Sequence, residues 1–298
     1  MSTSMKDMDG LIWLNGKLVP WREAEVHVLS HALHYASSVF EGQRIYDGRV
    51  FALQAHIERL ARSASLLGFE LPFSPATLMD ACREVAIQND IITGYMRPIA
   101  WRGLGKMGVS ARGTEINVAI AAWRWPSYFD ASSANEGIRM ALAEWRRPDP
   151  ATAPVFSKAA GVYMIGTLAK EAAESAGFDD ALLLDWRGRV AEATGANVFF
   201  VKDDALHTPV ADCFLDGITR RTVMGLARAR GWTVEEREIW PAELGEFEQC
   251  FLTGSAAEVT PVRSIEPHQY AVGAITRTLI EDYAAHVRSP RAAERNVA

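Results

Sequence analysis

Apolar residues recur along the chain in two periods, and the change from one to the other marks out strands and helices. Leu11 to Leu14 and Leu18 to Val19 flank Asn15-Gly16, a pair that tolerates positive φ, so 11–19 is predicted to form a hairpin. Residues 43–53 repeat the pattern around Asp47-Gly48. Helical spacing follows in 55–67, where Ile57, Leu60, Ala61, Ala64 and Leu67 share one face. It returns in 75–88, which opens with Ser74 as N-cap and Pro75 at the first helical position. Strands at 95–101 and 116–123 complete this first group. The stretch 126–137 is turn-rich without apolar period and reads as a linker.

Beyond it the pattern predicts a strand at 138–145, a Pro-rich connection and a helix over 161–176. Strands at 180–185, 197–201, 233–239 and 249–253 follow, with helices at 219–230 and 273–287. Strands mixed with helices and tight hairpins indicate an α/β chain of the α+β-like kind, and 298 residues suit two domains better than one. With 49% hydrophobic and 23% charged residues the chain can bury an ordinary core. A net charge of -6 with scattered arginines offers no basic stripe, so nucleic acid is not an expected partner. Cys82, Cys213 and Cys250 are too few and too far apart for a disulfide framework or a metal knuckle, which fits a cytoplasmic protein. Neither a signal-like N-terminus nor a run of about 18 apolar residues is present, so export and membrane insertion are not expected.

The six lysines narrow to two as candidates for imine chemistry. Lys6 lies in the N-terminal tail, Lys17 and Lys202 border hairpin turns, and Lys170 has Glu174 four residues on, as in a surface pair. Lys106 and Lys158 remain. Apolar Val155 and Phe156 precede Lys158 and small residues follow it, a setting that desolvates an amine and leaves room for a flat ligand; taken alone, such a lysine is more often a surface charge. In DGITRR (216–221) Gly217 permits close backbone approach and Ile218 and Thr219 open a helix whose N–H groups could hold a phosphate, although an ordinary capped helix reads the same way. Glu192, beside Ala193, Thr194, Gly195 and Ala196, could face a ring nitrogen or be a solvated carboxylate.

Two other motifs lead elsewhere. GLGKMG (103–108) matches a dinucleotide fingerprint, but another strand follows where a helix is required, so it reads as a loop over a site with Val109 at its end. His27, His31 and His34 suggest a metal, yet no cysteine lies near them; hydrogen-bonding roles are expected, and no metal.

Together these segments resemble the branched-chain aminotransferases, pyridoxal phosphate (PLP) enzymes of fold type IV. The likeness runs from about residue 11 to 265 through HALHYASSVFEGQRIYDG (31–48), HIERL (56–60), YMRP (95–98), SKAAGVY (157–163), AEATGANVFFVKD (191–203), LDGITR (215–220) and TGSAAEVTPVRSI (253–265). It implies a small N-terminal α/β domain (1–125), an interdomain loop (126–133) and a larger C-terminal pseudobarrel domain (134–298), with the cofactor between them.

The resemblance makes Lys158 the Schiff-base lysine and general base, Glu192 the partner of the pyridine nitrogen and Tyr163 that of the ring hydroxyl. Arg59, Ser255, Gly195 and the Ile218-Thr219 backbone complete the cofactor site. The substrate side would comprise Tyr35, Phe40, Gly42, Arg44, Tyr95, Arg97, Val109, Trp125, Tyr128 and the Ser255-Ala256 turn. Val109 would reach a partner subunit's site, so at least a homodimer is implied. The expected reaction is ping-pong transamination of L-leucine, L-isoleucine and L-valine with 2-oxoglutarate. The alternatives are an (R)-amine or D-amino-acid transaminase, or aminodeoxychorismate lyase. The chain departs from the common pattern where Ala-Thr-Gly-Ala follows Glu192, and at Val162 and Asp216. These departures bear on substrate breadth.

Overall fold

The structure, a computed structural model, describes residues 4–125 and 136–289. Asn15 and Asp47 both lie at positive φ, each followed by a glycine that does the same, and so close the two expected two-residue hairpins. The first joins β1 (Leu11–Leu14) to β2 (Lys17–Pro20); the second joins β4 (Gln43–Tyr46) to β5 (Arg49–Val50). The second hairpin is shorter than its pattern suggested, because the chain turns at Phe51 and Ala52 into helix α2 (Leu53–Leu66). Between the hairpins lie the five-residue helix α1 (His31–Tyr35) and β3 (Ser38–Phe40).

Helix α3 (Pro75–Gln88) has the expected Ser74 cap, whose hydroxyl accepts from the Thr77 N–H at 3.1 Å. Long antiparallel strands β6 (Gly94–Arg102) and β7 (Ile116–Arg124) complete a sheet of order β2-β1-β7-β6-β4-β5, with β3 also on β6. Alternation decides its faces. Trp13, Val39, Met96, Ala100, Val118 and Ile120 point into a core with Ile57, Leu60, Leu78 and Val85 of α2 and α3. Residues 12, 14, 99, 101, 119 and 121, of opposite parity, line an apolar groove of about 290 Å³ on the other face.

The second sheet holds β8 (Ile138–Arg147), β9 (Asp180–Asp185), β10 (Val190–Ala193), β11 (Asn197–Lys202), β12 (Ala205–Pro209), β13 (Val234–Arg237), β14 (Gln249–Gly254), β15 (Glu258–Ile265) and β16 (His268–Gln269). Its order is β10-β9-β8-β15-β14-β11-β12-β13, with β16 on β15. At opposite ends of that order, Val190 of β10 donates its N–H to Ile239 O, just beyond β13, at 2.8 Å. The sheet therefore curls on itself, around Ile138, Leu182, Val198, Phe200, Leu252 and Val262. Helices α4 (Ala160–Ser175), α5 (Ile218–Ala229) and α6 (Ala274–Arg288) cover it. Tyr46, Phe51 and Ala55 from the first half share a core with Phe199, Val223, Leu279 and Tyr283 from the second.

Strands β10, β12 and β15 carry too little alternation to be read from the sequence, and the strand expected over 233–239 shrinks to 234–237. Pro261 argues against a central strand, yet β15 is one. Pro261 sits opposite Phe251 of β14, and the pairing of β15 with β8 begins only at Val262, so on that side Pro261 stands outside the ladder. The linker expected over 126–137 and the interdomain loop of 126–133 fall almost wholly outside the described residues.

Candidate active site

Lys158 sits in a short extended connection just before α4, and three contacts fix its main chain. Its N–H donates to Ser63 Oγ of α2 at 3.0 Å, its carbonyl accepts from Phe40 N–H of β3 at 3.0 Å, and Ala159 bridges to Val39. The side chain is half-buried, and Nζ donates to Tyr163 Oη at 2.6 Å. Phe40 packs edge-on against Tyr163 with centroids 4.8 Å apart, and Nζ lies 5.0 Å from each ring. Lys106, the other candidate lysine, is exposed in the loop between β6 and β7. Lys170 pairs with Glu174 at 3.6 Å as expected, but it also lies 3.9 Å from buried Asp180 and lines the same cavity as Lys158.

That cavity, about 310 Å³, is bounded by both sheets and by α2, α4 and α5. Arg59 enters it from α2, its guanidinium fixed by two bonds to Glu41, at 2.6 and 2.8 Å; His56 Nδ1 completes the cluster 2.7 Å from Glu41 Oε2. Burial alone would raise the Glu41 carboxyl, but the charges and hydrogen bonds of Arg59 and then His56 outweigh it and hold the carboxyl well below its ordinary range. The start of α5, capped by Gly217, lines the same cavity as Arg59, and the first-turn N–H groups of Ile218 and Thr219 have no acceptor within the helix. A Cβ on Gly217 would lie 2.2 Å from Asn197 Oδ1, so this approach requires glycine. Thr253 Oγ1, buried and without a hydrogen-bond partner, also lines the cavity.

Glu192 reaches the cavity from β10. Burial pushes its carboxyl up to about 7, against the lowering effects of Arg147, whose Nε is 3.4 Å from Oε1, and of Lys158. A carboxyl balanced near neutrality can share a proton with a basic nitrogen opposite it. Gly195, with open space where a side chain would be, leaves the adjoining wall clear for a flat ring. Gly42 is closed by Tyr95, whose Oη would lie 1.9 Å from an added Cβ. Arg97 donates to Tyr95 Oη at 3.3 Å and lies over Phe40, 4.8 Å from its centroid.

Residues 38–265 match the family described as amino-transferase class IV. The chain belongs to the class IV aminotransferases. It is 43% identical over 255 residues to the "Probable branched-chain-amino-acid aminotransferase" of Rickettsia bellii, covering 86% of this chain and 87% of that one. To the branched-chain-amino-acid aminotransferase of Pseudomonas aeruginosa it is 38% identical, covering 91% and 89%. A solved structure of the T.th. branched-chain amino acid aminotransferase complexed with N-(5'-phosphopyridoxyl)-L-glutamate superposes with a TM-score of 0.91 at 37% identity, covering 98% of this chain and 99% of that one.

In this class IV aminotransferase the cavity brings together Lys158, Arg59, Tyr163, Glu192, Gly195, Ile218, Thr219, Ser255 and Ala256 with Phe40, Gly42, Tyr95 and Arg97. Tyr35, Arg44, Val109 and Trp125, expected on the substrate side, do not line it. Tyr35 packs at a tilt against His31 with centroids 4.6 Å apart, and Val109 is 82% exposed in the β6–β7 loop. Arg44 is buried behind the wall, donating to Trp125 O at 3.0 Å, and Trp125 backs Tyr95 with centroids 4.8 Å apart. Tyr128 lies outside the described residues. The three histidines engage local groups: His31 Nδ1 faces Ser37 Oγ at 2.7 Å, His34 Nε2 faces Val28 O at 3.0 Å, and His27 Nδ1 accepts from the Leu29 N–H at 3.1 Å. Sequence reasoning missed Glu41, Arg147, Asn197 and Thr253. No local pattern links Glu41 to Arg59, which is 18 residues away.

Proposed function

We propose that the protein transfers the amino group of L-leucine, L-isoleucine or L-valine to 2-oxoglutarate, with pyridoxal phosphate as cofactor and ping-pong kinetics. The observation that carries this reading is one cavity holding the Lys158–Tyr163 pair, a carboxyl near neutrality at Glu192, and an anion site made by Arg59 and the start of α5. These residues fit the cofactor. Lys158 would hold its aldehyde carbon, Arg59, Ser255 and the Ile218 and Thr219 N–H groups its phosphate, Glu192 its ring nitrogen and Tyr163 its ring hydroxyl. The partnerless Thr253 hydroxyl at the cavity wall is a further group such a ligand would engage. When bound, pyridoxal phosphate takes up the electron pair left at the substrate α-carbon as its proton departs.

The chain's own residues supply the remainder. Lys158 Nζ, oriented by Tyr163 Oη, takes the α-proton and later returns a proton to the product side. Glu192 holds a proton opposite a ring nitrogen, and Arg147 keeps that carboxyl in place. Phe40, Tyr95 and Arg97, with the Ser255–Ala257 turn, form the substrate end, where aromatic faces suit a branched side chain and Arg97 suits a carboxylate. The phosphopyridoxyl-L-glutamate complexed with the T.th. relative supports glutamate as one of the two exchanged amino acids.

The chain is organised as two units, 1–125 and 134–298, joined by 126–133; two sheets that share no strand support this division. It acts as a homodimer or larger homo-oligomer: the apolar groove of the first sheet is open in one chain, and Val26 and Leu33 of its lining and the adjoining Val28 and Leu29 are exposed. Tyr35, which ends the α1 helix whose Leu33 lines the groove, and the exposed Val109 would each find a site to complete in a second copy. Three buried cysteines without disulfides accord with the cytoplasm. No helix among the described residues is long and apolar enough to cross a membrane.

A donor panel tests the reading. Turnover of the three branched-chain L-amino acids with 2-oxoglutarate is expected, and turnover confined to (R)-1-phenylethylamine or D-alanine overturns it. Lys158→Ala is expected to bind the cofactor only noncovalently and to lose transamination. Borohydride reduction that still fixed the cofactor to this variant would place the attachment elsewhere.

A further inference from the structure

The turn that carries Ser255, Ala256 and Ala257 along the cavity ends on Glu258, which has φ 53°, a left-handed conformation that a glutamate rarely adopts. What holds it there comes from the other half of the molecule. Tyr46 Oη donates to Glu258 Oε1 at 2.5 Å, and Arg44 Nη2 lies 3.6 Å from the same oxygen. Both partners are on β4 and both are buried, at 1% and 3% exposure, so a phenol and a guanidinium are brought out of water to meet this carboxylate. Each has a second attachment. Arg44 donates to Trp125 O, and Trp125 packs on Tyr95 of the cavity wall. Tyr46 packs in one cluster with Tyr283 and with Ile218 at the start of α5.

We propose that Glu258 is a positioning residue for the substrate's carboxylate: through Arg44 and Tyr46 it sets the Ser255–Ala257 turn at a fixed spacing from the Trp125–Tyr95 wall. It touches no reacting atom. It joins the two walls of the substrate end, one from each half of the chain, through a single carboxylate. The inference rests on the aminotransferase reading above for the identity of the ligand, and on the geometry alone for the latch.

The test uses the cofactor-loaded protein and 4-methylpentanoate, which has the side chain and carboxylate of leucine but no amine. Its affinity is read from the cofactor's visible band, beside kcat and KM for L-leucine and 2-oxoglutarate. Glu258→Ala is expected to weaken the acid roughly tenfold, the scale of one lost charge-assisted hydrogen bond, and to raise both KM values more than it lowers kcat. The unliganded spectrum should stay that of the wild type, and cofactor retention should fall by less than the affinity for the acid. Glu258→Gly, whose backbone accepts φ 53° without strain, is expected to behave like Glu258→Ala; wild-type affinity in the glycine variant would mean that the backbone alone sets the turn, and would overturn the latch. Tyr46→Phe removes one bond and leaves the turn's sequence intact, so it should shift affinity in the same direction by a smaller factor, and it keeps the test decisive if the alanine variant does not fold. Unchanged affinity in every variant that folds, against a wild type that binds the acid, overturns the latch alone. A wild type that neither binds the acid nor turns over L-leucine overturns the functional reading and this inference with it.

Discussion

Glu192 shows how one buried carboxyl couples the site to pH. Its ordinary value of 4.5 is pushed up to about 7, first by burial and against Arg147 and Lys158. Below about 4.5 the group is protonated in both the folded and the unfolded chain and costs nothing. Between there and about 7 the unfolded chain ionises first, so the cofactor-free fold loses stability as pH rises, and above about 7 the loss is complete. The expected size is on the order of 3 kcal/mol, and Glu192→Gln should remove it. Thermal unfolding of the cofactor-free protein and of this variant between about pH 4 and about pH 8 checks this; parallel curves would show that Glu192 ionises freely. At this scale the neighbours of Lys158 and Glu192 left each open between a site and a surface role, and only the resemblance of whole segments gave them one. Glu41 was not legible. Its meaning comes from Arg59 and His56, which a helix brings to it from a separate segment, and a chain position carries no mark of such a meeting.

Among elements, α5 combines a helix start with a forced close approach. Gly217 abuts Asn197, which is itself tied to Leu215 O at 3.0 Å, so the first turn is held against β11 and offers its N–H groups to the cavity. Gly217→Ala places a Cβ 2.2 Å from Asn197 Oδ1 and must displace one of the two. The expected result is a loss of cofactor affinity of about tenfold, roughly 1.4 kcal/mol, in titrations of the cofactor-free protein, with helix content preserved. Undiminished affinity would remove this helix start from the phosphate site. Helices α2, α3 and α5 could be read from their periodicity and caps, and β6 and β7 from alternation. Strand β15 could not, since Pro261 and a small-residue turn hide it, and β10 is only four residues long. Those two strands bear Glu258 and Glu192. The hardest elements to see thus carry part of the site, because backbone shaped around a ligand departs from regular alternation.

For the whole molecule, the two-sheet plan followed from the order of strands and helices, whereas the curl of the second sheet depends on Val190 meeting Ile239, a contact between distant segments. The uncovered groove of the first sheet has the same origin. Apolar residues of both parities in β1, β6 and β7 line both faces; among the described residues α2 and α3 cover one, and only the five-residue α1 lies along the other. Leu33→Asp at the groove, where Leu33 is 63% exposed, should leave the single chain folded and break its assembly. In sedimentation velocity the variant is expected at the 32.8 kDa of one chain, and the wild type at twice that or more; an assembled variant would move the contact elsewhere. The stitching of Lys158 to Ser63 and Phe40 has a mechanical consequence. The root of its side chain belongs to both halves at once, as a pin belongs to both leaves of a hinge. A shift of one sheet against the other would have to be taken up away from this joint, since its main chain is bonded to α2 and β3 and runs directly into α4.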